Sequence, residues 1–391
     1  MSFMTTRTVR QPEWENRAGY DVWLFVLTLC LCICGAIFVM TSSSSHSWES
    51  HHGDSLAIFW NHLSRLGWGL TWLVILSFID YHVFERLSRP LVIISLALLI
   101  AVYFVPQAPG ATARRWISLF GMSFQPAELA KYALISYLAT RFSQLKQDTF
   151  SHEARPVYVG ALLVTVTIVG LVAPEKNLSM AALILGGAAI MFYLSDVPLK
   201  PLLIPGTVGF VLLATLAWLT PYMHVRLTSF FSGILDPTQA SYHVKQSLVG
   251  LGQGGIAGLG LGGSIQKHFF LPEPYKDFIF SIIGEELGIF GAAGLLLTFL
   301  AFFSRAWRIA RHAPDCFGYY LGMGITCALS LSLFVNVGVT IGVLPPTGQP
   351  LPFISYGGSS LMMSLAAVGI LLNISKQALR RQNLESTLFM Q

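Results

Sequence analysis

The chain has 391 residues, is 54% hydrophobic and only 11% charged, and carries 24 Lys and Arg against 19 Asp and Glu. So little charge cannot clothe a water-soluble globule of this size, which excludes the soluble classes of enzyme and binding protein. The net charge of +5 follows from the membrane topology described next and calls for no nucleic-acid partner.

Apolar runs recur at 21–40, 63–79, 91–105, 126–142, 157–173, 178–194, 202–220, 278–303, 317–344 and 357–374. A spanning helix takes roughly 17–25 mostly apolar residues, so most runs suffice, while 91–105 needs its flanks. Lipid offers backbone groups no partner, and the runs are too continuous for alternating barrel strands. The expected fold is all-α: one polytopic domain, 1–391, of ten transmembrane helices with a large extracytoplasmic loop at 221–277. An even count puts both termini on one side. Fifteen of the 24 basic residues then share that side, among them Arg7, Arg10, Arg17, Arg86, Arg89, Arg141, Lys146, Lys200 and Arg305. By the positive-inside rule it is cytoplasmic. The first run is followed by no small-residue cleavage site and reads as a retained anchor.

The outer loop expected at 41–57, "TSSSSHSWESHHGDSLA", has no Lys or Arg, and its His46, His51 and His52 read as solvated rather than metal-binding. The cysteines show no spacing that suggests a disulfide. Next comes "RRWISLFGMSFQPAELAKYALI", residues 114–135. Pro126 suits the first turn of the fourth span. Glu128 and Lys131, three apart, share a helical face. They read either as a mutual ion pair that lets the helix insert or as the lining of a polar pocket, with Arg114 and Arg115 just above; the company of two arginines favours the pocket. In the loop at 221–277 the segment "GLGQGGIAGLGLGGS", 250–264, formally matches G-x-G-x-x-G twice. It lacks the strand–helix context of a dinucleotide site. A compact turn or re-entrant element against the outer face is expected instead.

"LPEPYKDFIFSIIGEELG", residues 271–288, gathers Glu273, Asp277, Glu285 and Glu286 where a long apolar helix begins. Charge inside a membrane is costly and marks function by default. Asp277 falls at the interface, placed like a general base that Lys276 tends to keep ionised. Glu285 and Glu286 lie about 12–14 Å deeper at 1.5 Å per residue and read as internal, hydrogen-bonded and structural or supporting. The last outer segment, "LPPTGQPLPFISYGGSS" at 344–360, is a proline-stiffened turn. Its Ser355, Ser359 and Ser360 can serve a ligand, while Gly357 and Gly358 suit close helix packing.

"ARRWISLFGMSFQPAELAKYALI", "YHVKQSLVGLGQGGIAGLGLGGSIQK", "LPEPYKDFIFSIIGEELG" and "GVLPPTGQPLPFISYGGSSLMMSLAAVGILLNIS", in that order, resemble the SEDS family (shape, elongation, division and sporulation) over essentially the whole chain. The opening "YDVWLFVLTLCLC" and the ending "GILLNIS" are more similar to its division branch than to its elongation branch. The resemblance implies a peptidoglycan glycosyltransferase at the outer face of the bacterial inner membrane. Its substrate would be lipid II, an undecaprenyl-diphosphate-linked disaccharide-pentapeptide, polymerised with inversion. Asp277 is the implied catalytic base. Glu128, Lys131, Arg114, Arg115, Arg226, Gln246, Ser355, Gly357, Gly358 and Ser359 are the substrate-binding set expected with it. The family's chemistry also admits a divalent cation, Mg2+ or Mn2+, with no ligand set assigned. Expected partners are a class B penicillin-binding transpeptidase and other divisome membrane proteins, and no nucleic acid. The chain departs from the family pattern at Tyr275-Lys276, at "APEKNLSM" from Ala173 to Met180, and at "MHVRL", 223–227, which keeps only Arg226 of two arginines. A transporter of the same lipid and a non-catalytic scaffold that activates a transpeptidase are the alternatives. The absence of a convincing internal repeat and the one-sided polar groups favour the enzyme.

Overall fold

The computed structural model describes residues 19–105, 114–119, 122–145, 154–175, 177–195, 218–236, 239–268 and 270–389, with scattered positions between 206 and 215. The expected span at 202–220 therefore lies largely outside the described residues, as do Arg7, Arg10, Arg17, Lys146 and Lys200. In chain order the helices are α1 (Val22–Ser50), α2 (Ala57–Phe78), α3 (His82–Val102), α4 (Pro126–Ser143), α5 (Ala154–Val172), α6 (Leu178–Leu194), α7 (Pro221–Leu235), α8 (Tyr242–Gly254), α9 (Ile279–Arg311), α10 (Cys316–Thr340) and α11 (Gly358–Phe389). Strands β1 (Ile117–Leu119) and β2 (Met122–Phe124) form a hairpin with Ser118 opposite Ser123. It leads straight into α4, whose first residue is Pro126. The protein is a multi-pass membrane protein. Among the described residues, α1, α5, α9, α10 and α11 are long and apolar enough to cross a bilayer by length and composition alone. In their apolar windows α11 is 78% buried and α10 61%, against 22% for α9, so α10 and α11 are central and α9 faces lipid.

Small residues set the closest contacts. A Cβ on Gly369 would meet the Leu73 carbonyl oxygen at 2.5 Å, so α11 and α2 pack backbone to backbone. At one end of the bundle, polar ties replace apolar packing. Asp21 caps α1 through the Leu24 N–H at 2.9 Å and accepts from Arg305 Nη2 at 2.6 Å, while its own N–H donates to Ser375 Oγ. Tyr81 donates through its hydroxyl to Asp315, the N-cap of α10, and through its N–H to Asn373 Oδ1.

Three expectations change. The loop at 41–57 is short, because α1 runs on to Ser50. The serines extend the helix by donating to the preceding turn: Ser42 to the Phe38 carbonyl and Ser44 to that of Thr41. Polar side chains that satisfy themselves this way need not end a helix. Second, the large loop at 221–277 is no open loop; it contains α7 and α8, and α8 packs on α9 with Ser281 Oγ donating to the Ser247 carbonyl at 2.7 Å.

Third, α9 is broken at Gly288, which has φ 68° and ψ −166°. The break would strand carbonyls and N–H groups of the adjoining turns. Residues 255–260 of the glycine segment take them up. The N–H groups of Leu259 and Gly260 donate to the carbonyls of Glu285 and Glu286 at 3.0 and 2.9 Å, and Ile289 N–H donates to the Gly255 carbonyl at 3.0 Å. A Cβ on Gly258 would collide with the Glu286 carbonyl, and Gly258 itself has φ 79°. Of the two forms expected for the glycine-rich stretch, a compact turn or a re-entrant element, it takes one inserted alongside a split helix.

Candidate active site

Asp277 ends the 271–277 segment two residues before α9 begins and is half-buried. Asn336 of α10 fixes its backbone, donating through Nδ2 to the Asp277 carbonyl at 2.9 Å and to that of Gln349 at 2.8 Å. The 344–357 segment therefore closes over it, and a Cβ on Gly348 would stand 3.5 Å from Asp277 Oδ2. Tyr356 N–H donates to the Tyr275 carbonyl at 2.9 Å and the two rings meet edge to face, clipping the same segment a second time.

The Asp277 carboxyl is pushed up to about 6, first by burial and then by Glu273, against the opposing pull of Lys276, Arg226 and Arg115. Lys276 alone does not keep it ionised as its adjacency suggests, because Lys276 is paired with Glu273. Arg115 and Arg226 thus share one electrostatic field with Asp277, although they come from the approach to β1 and from α7. Arg226 also donates to the Pro346 carbonyl at 3.2 Å, tying α7 to the covering segment.

The other expected positions divide. Lys131 bonds Glu128 at 2.7 Å with both side chains nearly inaccessible, the mutual ion pair of the two readings, and Lys131 Nζ also stands 4.8 Å from the Tyr132 ring centre. Arg114 donates to the Tyr103 carbonyl at 2.9 Å. Ser355 Oγ accepts from Leu351 N–H, and Ser359 Oγ accepts from Gln125 N–H just ahead of α4, so both hydroxyls serve backbone. A Cβ on Gly357 would meet Pro350 at 3.2 Å. Gly358 leaves room for the Arg65 guanidinium, 3.2 Å from where its Cβ would be. Gln246 is half-buried on α8.

Glu285 and Glu286 are wholly buried. Glu285 accepts from Ser264 Oγ at 2.5 Å and Ile265 N–H at 2.9 Å, and Glu286 from Lys267 Nζ at 3.3 Å. They hold the end of the glycine segment against α9. His46, on the extended α1, has its ring 5.7 Å from that of Tyr275.

Four neighbours escape a reading of the sequence. Asn336 is a lone amide inside an apolar run, which is a signal for a buried hydrogen bond. Arg65 lies 4.6 Å from the centre of the Tyr356 ring, and His62 lies near the same ring from one turn earlier in α2. Glu175, within the departing "APEKNLSM", is buried and shares the field of Arg115. A carboxyl half-shielded from water, two guanidinium groups in its field and a cover of proline-stiffened chain can deprotonate a hydroxyl beside an anionic leaving group.

A family described as cell cycle protein, FtsW/RodA/SpoVE, matches residues 22–380. The chain is similar to a probable peptidoglycan glycosyltransferase FtsW of Geobacter sp. (strain M18), 36% identical over 359 residues, covering 91% of this chain and 97% of the relative. It is also similar to stage V sporulation protein E of Bacillus subtilis (strain 168), 34% identical over 367 residues, covering 92% and 98%. Among solved structures, one described as the structural coordination of polymerization and crosslinking by a peptidoglycan synthase complex matches at TM-score 0.73 and 28% identity, covering 92% of this chain and 98% of that one. A point mutant of the rod shape determining protein RodA of Thermus thermophilus matches at TM-score 0.68 and 27% identity, with the same two shares.

Proposed function

The chain belongs to the FtsW, RodA and SpoVE family of cell cycle proteins, and we infer that it is a peptidoglycan glycosyltransferase, as its relatives are named. We propose lipid II as its substrate, used at the outer face of the bacterial inner membrane by a ten-span chain with both termini cytoplasmic. Septal synthesis in cell division is the proposed setting, supported by the similarity to proteins named FtsW. A class B transpeptidase is the proposed partner, supported by the match to a synthase complex that couples polymerization to crosslinking. Other divisome membrane proteins are proposed to assemble with the pair.

Asp277 is the proposed base. The observation that carries this role is its carboxyl, pushed up to about 6 at the mouth of α9 within the field of Arg115 and Arg226. An acceptor sugar hydroxyl gives its proton to Asp277 as its oxygen bonds the anomeric carbon of the donor. The bond from that carbon to the lipid diphosphate breaks, the diphosphate leaves with the electron pair, and the configuration inverts. Negative charge grows on the departing oxygen, and fixed guanidinium groups stabilise it more in the transition state than before. Arg115 and Arg226, whose charges reach Asp277, are the proposed stabilisers, whereas Lys131 is committed to Glu128. Among the described residues no group of three or more His, Cys, Asp or Glu can hold a metal. A Mg2+ or Mn2+ held by one carboxylate and the phosphates of the donor needs no such group, so Asp277 is the residue that would hold one beside the diphosphate, where the ion would supply charge neutralisation; no step is routed through it.

The test is polymerisation of labelled lipid II by the purified chain, with and without its transpeptidase, read as glycan length on a gel. Wild type should make polymer and a folded Asp277→Ala none. Equal polymer from both would remove Asp277 from the chemistry, and none from wild type with its partner would move a transporter or scaffold ahead.

A further inference from the structure

At the end of the bundle away from Asp277, α3 and α4 part to leave a cavity of about 440 Å³. It is lined by Glu85, Arg86 and Arg89 of α3 and by Tyr137, Thr140 and Arg141 of α4, among others. The spacings, 85, 86 and 89 on one helix and 137, 140 and 141 on the other, turn one face of each helix toward the gap. Three guanidinium groups stand against one carboxylate. Glu85 precedes Arg89 by four positions, the better order for an ion pair along a helix. No such pair forms: no ion pair is found for Arg86, Arg89 or Arg141 among the described residues. Arg141 Nε is buried against the cavity wall and has no hydrogen-bond partner.

A buried guanidinium N–H without an acceptor costs free energy unless something fills the place. The positive-inside rule explains why arginines are at this end. It does not explain why three of them edge one cavity, two exposed at its rim and the third with a buried Nε that has no acceptor. Pro90 adds to the opening, since it has no N–H for the carbonyl one turn earlier in α3, that of Arg86. Guanidinium forks paired with hydroxyl donors recognise phosphate oxygens. Basic pockets between membrane helices, at headgroup depth, take anionic lipid headgroups.

We propose that this cavity binds the phosphate of an anionic membrane phospholipid such as phosphatidylglycerol or cardiolipin, at a site separate from the Asp277 centre. Arg86 and Arg89 reach its outer oxygens, and Arg141, with the Tyr137 hydroxyl, the inner ones. The acyl chains lie along the lipid-facing side of α3, where Ile93, Ile94 and Ile100 are exposed.

The test is native mass spectrometry of the delipidated full chain in detergent, titrated with cardiolipin, phosphatidylglycerol and neutral phosphatidylethanolamine. Wild type should retain the anionic lipids. Arg86→Gln/Arg89→Gln should weaken their binding about tenfold or more, whereas Arg308→Gln/Arg311→Gln, which removes equal charge at the same end, should not. If the double substitution fails to fold, Arg141→Gln, which removes the innermost donor, should by itself weaken binding of the anionic lipids, and unchanged binding would overturn the site. Equal weakening by both double variants would reduce the effect to general surface charge and overturn the site. Displacement of lipid by inorganic phosphate at equal concentration would assign the cavity to a soluble phosphate instead. No step of the assay involves polymerisation, so its outcome is independent of the Asp277 proposal.

Discussion

As the proposed base, Asp277 sits where two demands conflict, since burial favours the neutral acid while general-base action needs the carboxylate. Its pKa of about 6 leaves it ionised at neutral pH and still basic enough to accept a proton. Polymerisation should therefore rise with pH through about 6 and level off above, because the ionised form is the active one. The neighbours set the sign of each perturbation. Glu273 raises the Asp277 pKa, so Glu273→Gln should move the acid limb to lower pH. Lys276 lowers it and pairs with Glu273, so Lys276→Met should move the limb higher. A pH–rate profile of kcat/KM for the three proteins reads both shifts, and coincident limbs would show that another group titrates. Asp277→Asn keeps the shape and removes the base, with an expected loss of about 100- to 10,000-fold in rate.

At the scale of elements, the break in α9 and the glycine segment beside it make each other possible. Gly288 frees carbonyls that Leu259 and Gly260 take, and Glu285 and Glu286 secure the following turn through Ser264, Ile265 and Lys267. Two substitutions should show the dependence. Lys267→Met leaves the Glu286 carboxylate buried without its cation and should cost about 3–5 kcal/mol. Gly288→Ala puts a Cβ where the Ile256 carbonyl stands and forces positive φ on a residue that resists it, for a loss of about 1–3 kcal/mol or more. Thermal unfolding in detergent measures both. If both variants melt with wild type, the glycine segment does not depend on the break. The exposed Thr298→Ala, by contrast, loses only a bond to the Gly294 carbonyl on its own helix and should melt within a few degrees of wild type.

Over the whole molecule, what the sequence makes legible is what acts locally. Apolar runs announce helices, and acids in an apolar chain announce the neighbourhood of Asp277. What stays hidden depends on distant partners. The serines after Met40 read as a loop until their hydroxyls are seen to bond the turn behind them. Arg65 and Asn336 acquire meaning only when Tyr356 and Asp277 arrive beside them. The break at Gly288 shows only once the glycine segment fills it. Orientation is the property of the whole that most constrains the chemistry, and two exposed positions report it. Glu49 lies in the last turn of α1, at the same end of the bundle as Asp277, since His46 one turn earlier meets Tyr275. Cys316 begins α10 at the opposite end, next to the Asp315 that Tyr81 ties. In intact cells, with Cys30, Cys32, Cys34 and Cys327 changed to alanine, a membrane-impermeant maleimide should label Glu49→Cys and leave Cys316 unmodified until the membrane is broken. Labelling of Cys316 alone would turn Asp277 toward the cytosol. An acceptor strand in the wall would then be out of reach of the base, and the polymerase reading would fail on topology before any question of mechanism arose.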